Sequence, residues 1–355
     1  MTERIEQPKV TVVMPVYNAA KYLPAALDGV LAQTLQDFEV VAVNDGSTDD
    51  SGRILAEYAA RDGRIRVHQQ KNSGGGAART AAAALARGRY IAQYDADDVF
   101  HPARLEKQAA VLDARPDMIA VYCRTVVADR DLKPLALMHI PTDPLAIRRR
   151  MRRGNPLQQN SMVRRDVFEK IGGYREGLIC TQDFDFNLRL LEAGEVACLP
   201  EAYHIYRQHG AQISSARKAE VPMFGALVRT FEMERKLRGR DSYAEFDRTR
   251  DFEKFLLDYE FRNYFYFFAG RSALRHLLLP QARAYIKEAW KGGHRTFATA
   301  GLYAKSRLPY ILVKALLYFN TRFIARKWTR KVPRYIIEML SSENINANRR
   351  AIPDK

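Results

Sequence analysis

The chain has 355 residues, 47% of them hydrophobic and 28% charged, and it carries a formal net charge of +16. This is a globular composition, long enough for two domains or for one large domain with an appendage. The start of the chain shows no apolar leader, and no run of about 18 uncharged apolar residues predicts a membrane span. Three widely spaced cysteines without a CxxC pair argue against a disulfide framework or a zinc site and favour a reducing compartment: Cys123, Cys180 and Cys198.

The first hundred residues alternate between strand and helix patterns. Apolar runs predict strands, and apolar residues at helical spacing predict the helices between them. A proline or a polar turn ends each strand, and the connections are short. This alternation predicts an α/β fold with a mostly parallel sheet flanked by helices. The predicted strands are 10–14, 38–43, 65–68 and 89–93, and the predicted helices are 21–33, 49–58 and 77–87.

Three acids, Asp95, Asp97 and Asp98, follow the fourth strand within four residues. Carboxylates this close repel one another unless a cation lies between them. Mg²⁺ typically takes one or two carboxylates together with substrate phosphates, so the cluster predicts a divalent-metal site. The alternative is an acidic turn that caps the helix beginning near Pro102.

Parallel strands end at one edge of a sheet, and this edge is where open α/β sheets bind ligands. The aromatic ring of Tyr17 can pack on a base there, and Asp45 can accept a hydrogen bond from a base N–H. Arg79, just after a glycine-rich turn, can reach a phosphate. Taken singly, Tyr17 is more simply a tyrosine at the rim of the core and Asp45 a turn residue. Their joint placement at one edge predicts a nucleotide site.

Two common nucleotide motifs are absent from the sequence. No GxGxxG follows the first strand, and no GxxxxGK[ST] occurs, which argues against a dinucleotide fold and a P-loop nucleotidase.

Residues 116–215 change in character. A strand is predicted at 118–127 and another at 161–165. A basic cluster at 148–153 is either a solvated helix face or a contact for an acceptor that carries phosphate. Asp183 and Asp185 begin a predicted helix that runs to Ala193, where the helix dipole favours acids. They either cap this helix or supply a general base.

The sequence contains five short motifs in a fixed order: MPVYN at 14–18, VNDGSTD at 43–49, NSGGGAAR at 72–79, YDADD at 94–98 and TQDFDFNLRL at 181–190. In this order and spacing, residues 8–215 resemble family 2 of the glycosyltransferases, which are inverting enzymes of the GT-A fold that use nucleotide sugars. The sequence departs from the family at Asn44, where Asp is frequent, and at Gln182, where Glu is frequent.

The resemblance implies roles for eleven residues. Asp97 would bind the divalent metal, Mn²⁺ or Mg²⁺, with Asp98 as a competitor for that role, and His209 would contact the metal or the diphosphate. Asp183 would be the catalytic base, with Asp185 a helix-capping or supporting residue. The donor would be bound by Pro15, Tyr17, Asn18 and Asp45 around the base, Arg79 at the diphosphate and Asp95 at the ribose.

Residues 216–355 are predicted to be a mainly helical, basic region, separate from a catalytic domain at 1–215. Residues 1–215 carry about 28 basic and 27 acidic side chains, whereas 262–334 carry about 16 basic and one acidic. Core helices that pack on the catalytic domain are one interpretation. The charge favours a peripheral contact with an anionic membrane surface, on its cytoplasmic side, over nucleic acid, for which no motif is present.

The sequence therefore predicts a metal-dependent glycosyltransferase that moves a sugar from a nucleotide diphospho-sugar, UDP-linked, to a hydroxyl acceptor. The acceptor would be a lipid-linked glycan in polysaccharide or glycolipid biosynthesis. One alternative is a nucleotidyltransferase that makes a nucleotide sugar. Such enzymes usually have a basic, glycine-rich loop after the first strand, and the segment PVYNAAKYL at that place contains no glycine. The other alternative is a non-catalytic basic protein that binds membrane or nucleic acid.

Overall fold

A computed structural model describes residues 7–152, 154–210, 217, 219–257, 259–292 and 297–306 of the chain. By its internal contacts the described chain falls into two units. The first comprises residues 7–175 and 186–209, and the second comprises 176–185 and the described residues from 210 onward. The predicted boundary at residue 215 lies outside the described residues and stays a prediction.

The first unit is built on one sheet of nine strands within the described residues. The strand order is β3-β2-β1-β4-β8-β6-β9-β5, with β7 paired to β6. Pairs β1–β2, β2–β3, β1–β4 and β6–β9 are parallel, which confirms the predicted α/β class. The strands are β1 Val10–Val16, β2 Phe38–Asp45, β3 Ile65–Gln70, β4 Tyr90–Gln93, β5 Val99–Phe100, β6 Met118–Ala128, β7 Pro134–Met138, β8 Met162–Arg164 and β9 Glu195–Arg207.

Helices follow most of these strands and bury the apolar faces of the sheet. Leu23, Leu27 and Val30 of α1 pack with alternate residues of β1 in the main core, and the alanine-rich α3 packs on β1 and β2. The helices predicted at 21–33, 49–58, 77–87 and 183–193 all exist, with ends shifted by at most three residues. The first seven helices are α1 Leu23–Leu31, α2 Ser51–Arg61, α3 Gly75–Ala84, α4 Arg104–Ala114, α5 Pro144–Met151, α6 Arg165–Lys170 and α7 Gln182–Ala193.

Strand β1 continues past Met14, where it was predicted to end. Tyr94 N donates to Val13 O, so the Val13 carbonyl faces β4. Pro15, two residues later, faces the same side of the strand. The ladder between β1 and β4 has already ended there at Gln93. The missing N–H of Pro15 therefore costs no ladder hydrogen bond, and the strand continues.

The second unit is helical in its described residues. Phe246 lies at the centre of an aromatic core, with ring centroids 5.2 Å from Phe252 and 5.5 Å from Phe255. The helices are α8 Val221–Arg238, α9 Tyr243–Thr249, α10 Phe252–Leu257, α11 Arg262–Arg275, α12 Leu279–Lys291 and α13 Phe297–Ser306. No helix in the described ranges combines the length and apolarity needed to span a membrane. The predicted helical face at 308–319 lies outside the described residues.

Candidate active site

The carboxyl ends of the parallel strands bring the predicted donor-binding segments to one edge of the sheet. In the registers of β1, β2 and β3, Val16 pairs with Asn44 and Asp45 pairs with Gln70. The backbone N–H of Tyr94, just after β4, donates to the Val13 carbonyl of β1. The polar segments that follow β1, β2, β3 and β4 therefore adjoin one another.

The segment after β1 is tied to the segment after β2 through Asn18. Its Oδ1 accepts a hydrogen bond from Thr48 N at 2.8 Å, and its own N–H donates to Ser47 Oγ at 3.1 Å. Asn18 has a positive φ of 47°, a conformation that asparagine tolerates better than most residues. The preceding Tyr17 side chain is 51% exposed, and Pro15 is half-buried. The edge thus presents an open aromatic ring on a fixed turn.

Asp45, at the end of β2, fixes the glycine-bearing loop after β3. The residue is only 2% exposed. Its Oδ1 accepts hydrogen bonds from Gln70 Nε2 at 2.7 Å and from Ser73 N at 2.8 Å, and its Oδ2 accepts one from Gly74 N at 2.8 Å. Gly74 has φ +91°, which a residue with a side chain rarely adopts. The carboxylate therefore shapes the loop that leads into α3.

Arg79 and Asp95, predicted to face the diphosphate and the ribose, are paired with each other. The Arg79 guanidinium, from α3, forms an ion pair with the Asp95 carboxylate after β4. The same guanidinium lies over the ring of Tyr174, 5.6 Å from its centroid. The Tyr174 hydroxyl in turn donates to Gln159 Oε1 at 2.8 Å. A cation and a carboxylate are thus held together beside the acid cluster.

Asp97 is the most exposed of the three acids, ahead of Asp95. Its side chain is 29% exposed, and Oδ2 lies 2.9 Å from His209 Nε2. Burial, with the adjacent carboxylates of Asp98 and Asp95, raises the pKa of Asp97 to about 6, and His209 opposes that shift. The His209 ring also packs against Tyr22 at 4.8 Å. This corner of the edge therefore holds more negative charge than its neighbours balance.

Asp98 lies in a different environment from Asp97, although the two are adjacent. Its side chain is 1% exposed. Oδ2 lies 2.8 Å from His204 Nε2, and Oδ1 accepts a hydrogen bond from Arg207 N at 2.9 Å. Both oxygens are thus engaged by protein groups. This geometry disfavours Asp98 as the direct metal ligand that the sequence left open, and it leaves Asp97 and His209 as the candidates.

The described residues contain no group of three or more His, Cys, Asp or Glu side chains arranged to enclose a metal ion. A Mg²⁺ or Mn²⁺ site of the expected kind does not need such a cage, because substrate phosphates and water complete the coordination. The raised pKa of Asp97 and its neighbouring imidazole fit a divalent cation, since a cation would relieve the excess negative charge.

Comparison with known proteins agrees with this geometry. The family model for "Glycosyl transferase family 2" matches residues 11–172. An uncharacterized glycosyltransferase of Methanocaldococcus jannaschii is 30% identical over 200 residues, which are 54% of this chain and 67% of that protein. The chain belongs to glycosyltransferase family 2.

Other similarities are more partial. The chain is 32% identical to the chondroitin synthase of Escherichia coli over 187 residues, or 53% of its own length, but spans only 27% of that protein. The structure of S. aureus TarS 1–349 in complex with UDP-GlcNAc aligns with a TM-score of 0.58 and 19% identity. That alignment covers 84% of this chain and 90% of TarS 1–349, and it confirms the predicted GT-A fold.

Asp183 lies in the first turn of α7 and is half-buried, whereas Asp185 is fully buried. Both acids belong to the second unit, together with Phe184, whose ring lies 4.5 Å from the Arg229 guanidinium. The catalytic role of Asp183 stays a prediction.

The basic cluster at 148–153 has a structural role in part. The Arg148 guanidinium donates to the Gly194 carbonyl at 2.8 Å and to Glu195 Oε1 at 2.9 Å, so it caps the carboxyl end of α7. Positive side chains are favourable at that end of a helix.

Sequence reasoning missed three residues of the first unit that the structure brings to the site. Tyr22 packs against His209 and lies 4.7 Å from the Arg207 guanidinium, and Tyr174 lies under Arg79. The sequence carries a signal for two of them: Arg207 belongs to a Tyr-Arg-x-His run at 206–209, and Tyr174 ends an Ile-Gly-Gly-Tyr turn at 171–174, and both resemble family patterns. Tyr22 looks like an ordinary core aromatic in the sequence.

Proposed function

We propose that this glycosyltransferase moves a sugar from a nucleotide diphospho-sugar, UDP-linked, to a hydroxyl acceptor with inversion at the anomeric carbon. The observation that carries the proposal is that the polar segments after β1, β2, β3 and β4 meet at one edge of the sheet, with the partly exposed Asp97 among them, in a chain of this family. The UDP-GlcNAc complex of TarS, a protein of the same fold, supports a UDP-linked donor.

The donor would lie along the edge from Tyr17 to Asp97. Tyr17 stacks on the base, with Pro15 and Asn18 holding its turn, and Asp45 offers the remaining lone pair of Oδ2 to a base N–H. Arg79 turns from Asp95 to the diphosphate, so that Asp95 accepts hydrogen bonds from the ribose hydroxyls. This exchange replaces one charge-assisted contact with another and so costs little electrostatic energy.

A divalent ion, Mn²⁺ or Mg²⁺, would be held by Asp97 and His209 together with the donor phosphates. When bound, such an ion neutralises charge on the departing diphosphate. The protein's own contribution is to hold the Asp97 carboxylate at the edge, with part of its surface accessible, while burying the carboxylate of Asp98.

Asp183 would act as the general base. The acceptor oxygen forms a bond to the anomeric carbon while the bond from that carbon to the diphosphate oxygen breaks, and the nucleoside diphosphate leaves with the electron pair. The acceptor proton passes to a carboxylate oxygen of Asp183. One displacement with one base gives inversion, and no covalent intermediate with the protein forms.

The acceptor would be a lipid-linked glycan in polysaccharide or glycolipid synthesis, at the cytoplasmic face of an anionic membrane. The charge excess of 262–334 supports this proposal. Reversing the charge at Arg322, Arg326, Lys327 and Arg330, which lie outside the described residues, should release the protein from anionic vesicles without changing donor binding. Equal partition of the wild type onto neutral and anionic vesicles would exclude the proposed contact with an anionic membrane.

The test of function is a panel of nucleotide sugars, with Mn²⁺ and with EDTA, in which binding and release of nucleoside diphosphate are measured. We expect one UDP-sugar to bind best with Mn²⁺ and to release UDP. Release of pyrophosphate from a nucleoside triphosphate and a sugar phosphate would indicate a nucleotidyltransferase instead. Failure of every nucleotide sugar to bind would exclude a donor site. NMR of the product's anomeric proton would test inversion.

A further inference from the structure

Asp98 is a buried acid that the proposed reaction leaves without a chemical role. It directly follows Asp97, its side chain is 1% exposed, and both of its oxygens contact protein groups. Burying a carboxylate is costly unless it is well paired. A fully paired buried acid beside a functional acid suggests a role in positioning its neighbour.

The contact between Asp98 and His204 has a defined direction, which Asn160 sets. Asn160 Nδ2 donates to the Cys123 carbonyl at 2.9 Å, while its Oδ1 accepts from Cys123 N at 3.4 Å. The backbone of Cys123 therefore fixes the orientation of the Asn160 amide. This leaves Asn160 Nδ2, 2.9 Å from Thr125 Oγ1 and 3.3 Å from His204 Nδ1, as the donor toward both.

The rest of the chain of hydrogen bonds follows from that orientation. Because Thr125 Oγ1 accepts from Asn160, its own proton is available for His204 Nδ1, at 3.0 Å. Burial lowers the pKa of His204 to about 3, so the imidazole is neutral and carries one proton. With Nδ1 accepting, that proton is on Nε2, which donates to Asp98 Oδ2 at 2.8 Å.

Two further contacts hold this arrangement in place. The His204 ring stacks on Phe100 with centroids 4.9 Å apart and planes 12° apart. Arg207 donates its backbone N–H to Asp98 Oδ1 at 2.9 Å and its Nε–H to the Asp97 carbonyl at 2.9 Å. The backbone of Asp97 and the side chain of Asp98 are therefore held by the same end of β9.

We propose that Asp98 and His204 are positioning residues, a buried clamp that fixes the Asp97 carboxylate where the diphosphate and its cation bind. The clamp rests on the proposed function, because it assigns Asp97 to that contact. Removal of a residue that orients a metal ligand typically lowers metal affinity by about 10–100-fold. A merely structural His204 would lower stability and leave the metal response of nucleotide binding unchanged.

The test uses the full chain and UDP as probe, titrated calorimetrically with Mn²⁺ and again in EDTA. His204→Phe keeps a ring against Phe100 but removes the donor to Asp98. We expect it to weaken Mn²⁺-dependent UDP binding by about 10-fold or more, with UDP binding in EDTA unchanged. His204→Gln can place an amide N–H near the position of Nε2, and it should restore binding to within about 3-fold of wild type.

Thr11→Val is the matched control. It removes the Thr11 hydroxyl that donates to the buried Glu39 Oε1 at 2.8 Å, at the opposite end of β1. We expect it to lower the melting temperature and to leave Mn²⁺-dependent binding unchanged. If His204→Phe does not fold, His204→Asn serves in its place, because the shorter amide cannot reach Asp98.

Wild-type affinity in His204→Phe would overturn the clamp, and so would equal losses with and without Mn²⁺ or failure of glutamine to rescue. If UDP binds wild type equally well with Mn²⁺ and in EDTA, the proposed metal site is contradicted, and the proposed clamp is contradicted with it. The wild-type titration therefore separates the two failures before any variant is measured.

Discussion

The two ends of the parallel strands hold buried carboxylates in opposite electrostatic environments. At the amino ends, Glu39 of β2 accepts hydrogen bonds from Thr11 Oγ1 at 2.8 Å and from Arg87 N at 2.8 Å, and Arg66 Nη1 donates to it at 2.9 Å. Burial by itself raises the pKa of Glu39, but the hydrogen bonds from Arg87, Thr11 and Arg66 outweigh it and lower the pKa below its usual value.

At the carboxyl ends of the strands, the pKa values of the acids are raised and not lowered. Burial and mutual repulsion raise the pKa of Asp97 to about 6 and that of Asp98 well above its usual range. One end of the sheet is thus electrostatically balanced and stabilises the fold, whereas the other retains excess negative charge. The fold can pair a buried carboxylate fully, as it does for Glu39, so the unbalanced charge at the carboxyl ends supports the proposed donor site there.

The largest loss of activity should come from a substitution at the carboxyl ends of the strands, where the negative charge is unbalanced. Asp97→Asn should reduce sugar transfer to background, because the variant lacks the charge that, in the proposed mechanism, holds the cation at the diphosphate. Excess EDTA should do the same to the wild type, and release of nucleoside diphosphate measures both. Full wild-type activity in EDTA would contradict this and would make Arg79 the group that neutralises the diphosphate.

Asp183 lies in α7 and at neither end of the parallel strands, so its effect can be compared with that of Asp97. Asp183→Asn should lower turnover by roughly 10²–10⁴-fold, the usual contribution of a general base. Donor affinity should stay within a few fold, because in the proposed mechanism this acid contacts the acceptor and not the donor. Steady-state kinetics with donor titration separate the two quantities. Equal losses of donor affinity and turnover would show that Asp183 supports the structure and is not the base.

The sequence was sufficient to place Asp97 at the edge of the sheet where the parallel strands end. Strand and helix patterns alternate clearly up to residue 98, and the ends of parallel strands meet at one edge whatever their register. The same reasoning could not separate Asp97 from Asp98, since both follow the same strand. Their difference depends on His204 and Arg207, which lie more than a hundred residues later and reach Asp98 only through the pairing of β5 with β9.

The sequence predicted six of the nine described strands; it did not predict β5, β7 and β9 or the order of the strands in the sheet. Strand β8 has three residues and lies antiparallel between β4 and β6, a position that no period or turn signal reveals. Arg148 shows the same limit for side chains, because a run of arginines does not disclose that one of them caps α7.

The balanced end should affect stability alone. Glu39→Gln should cost about 2 kcal/mol, less than a fully buried ion pair because its arginines are partly exposed. The folded-state pKa of Glu39 is lowered, so its contribution is complete above the unfolded pKa near 4.5 and is lost as pH falls through the folded value. Thermal melts should therefore separate wild type and variant at pH 7 and converge toward pH 3, with UDP binding unchanged. A gap that widens in acid would contradict this.

The smallest effect reverses the usual sign of a mutation. Without metal, Asp97→Asn should stabilise the protein at pH 7.5, because it removes a charge that the folded state disfavours. The pKa near 6 means that ionised Asp97 costs stability above about pH 6, and that this cost disappears as pH falls toward the unfolded value of 3.8. Partial exposure of the side chain reduces the expected gain to about 1 kcal/mol. Mn²⁺ with UDP should reverse the order, since ligand binding stabilises only the protein that binds it. Thermal melts should show the variant melting above wild type in EDTA and below wild type in Mn²⁺ with UDP. A variant less stable than wild type in both buffers would mean that Asp97 is already balanced, and the contrast between the two ends of the sheet would then be lost.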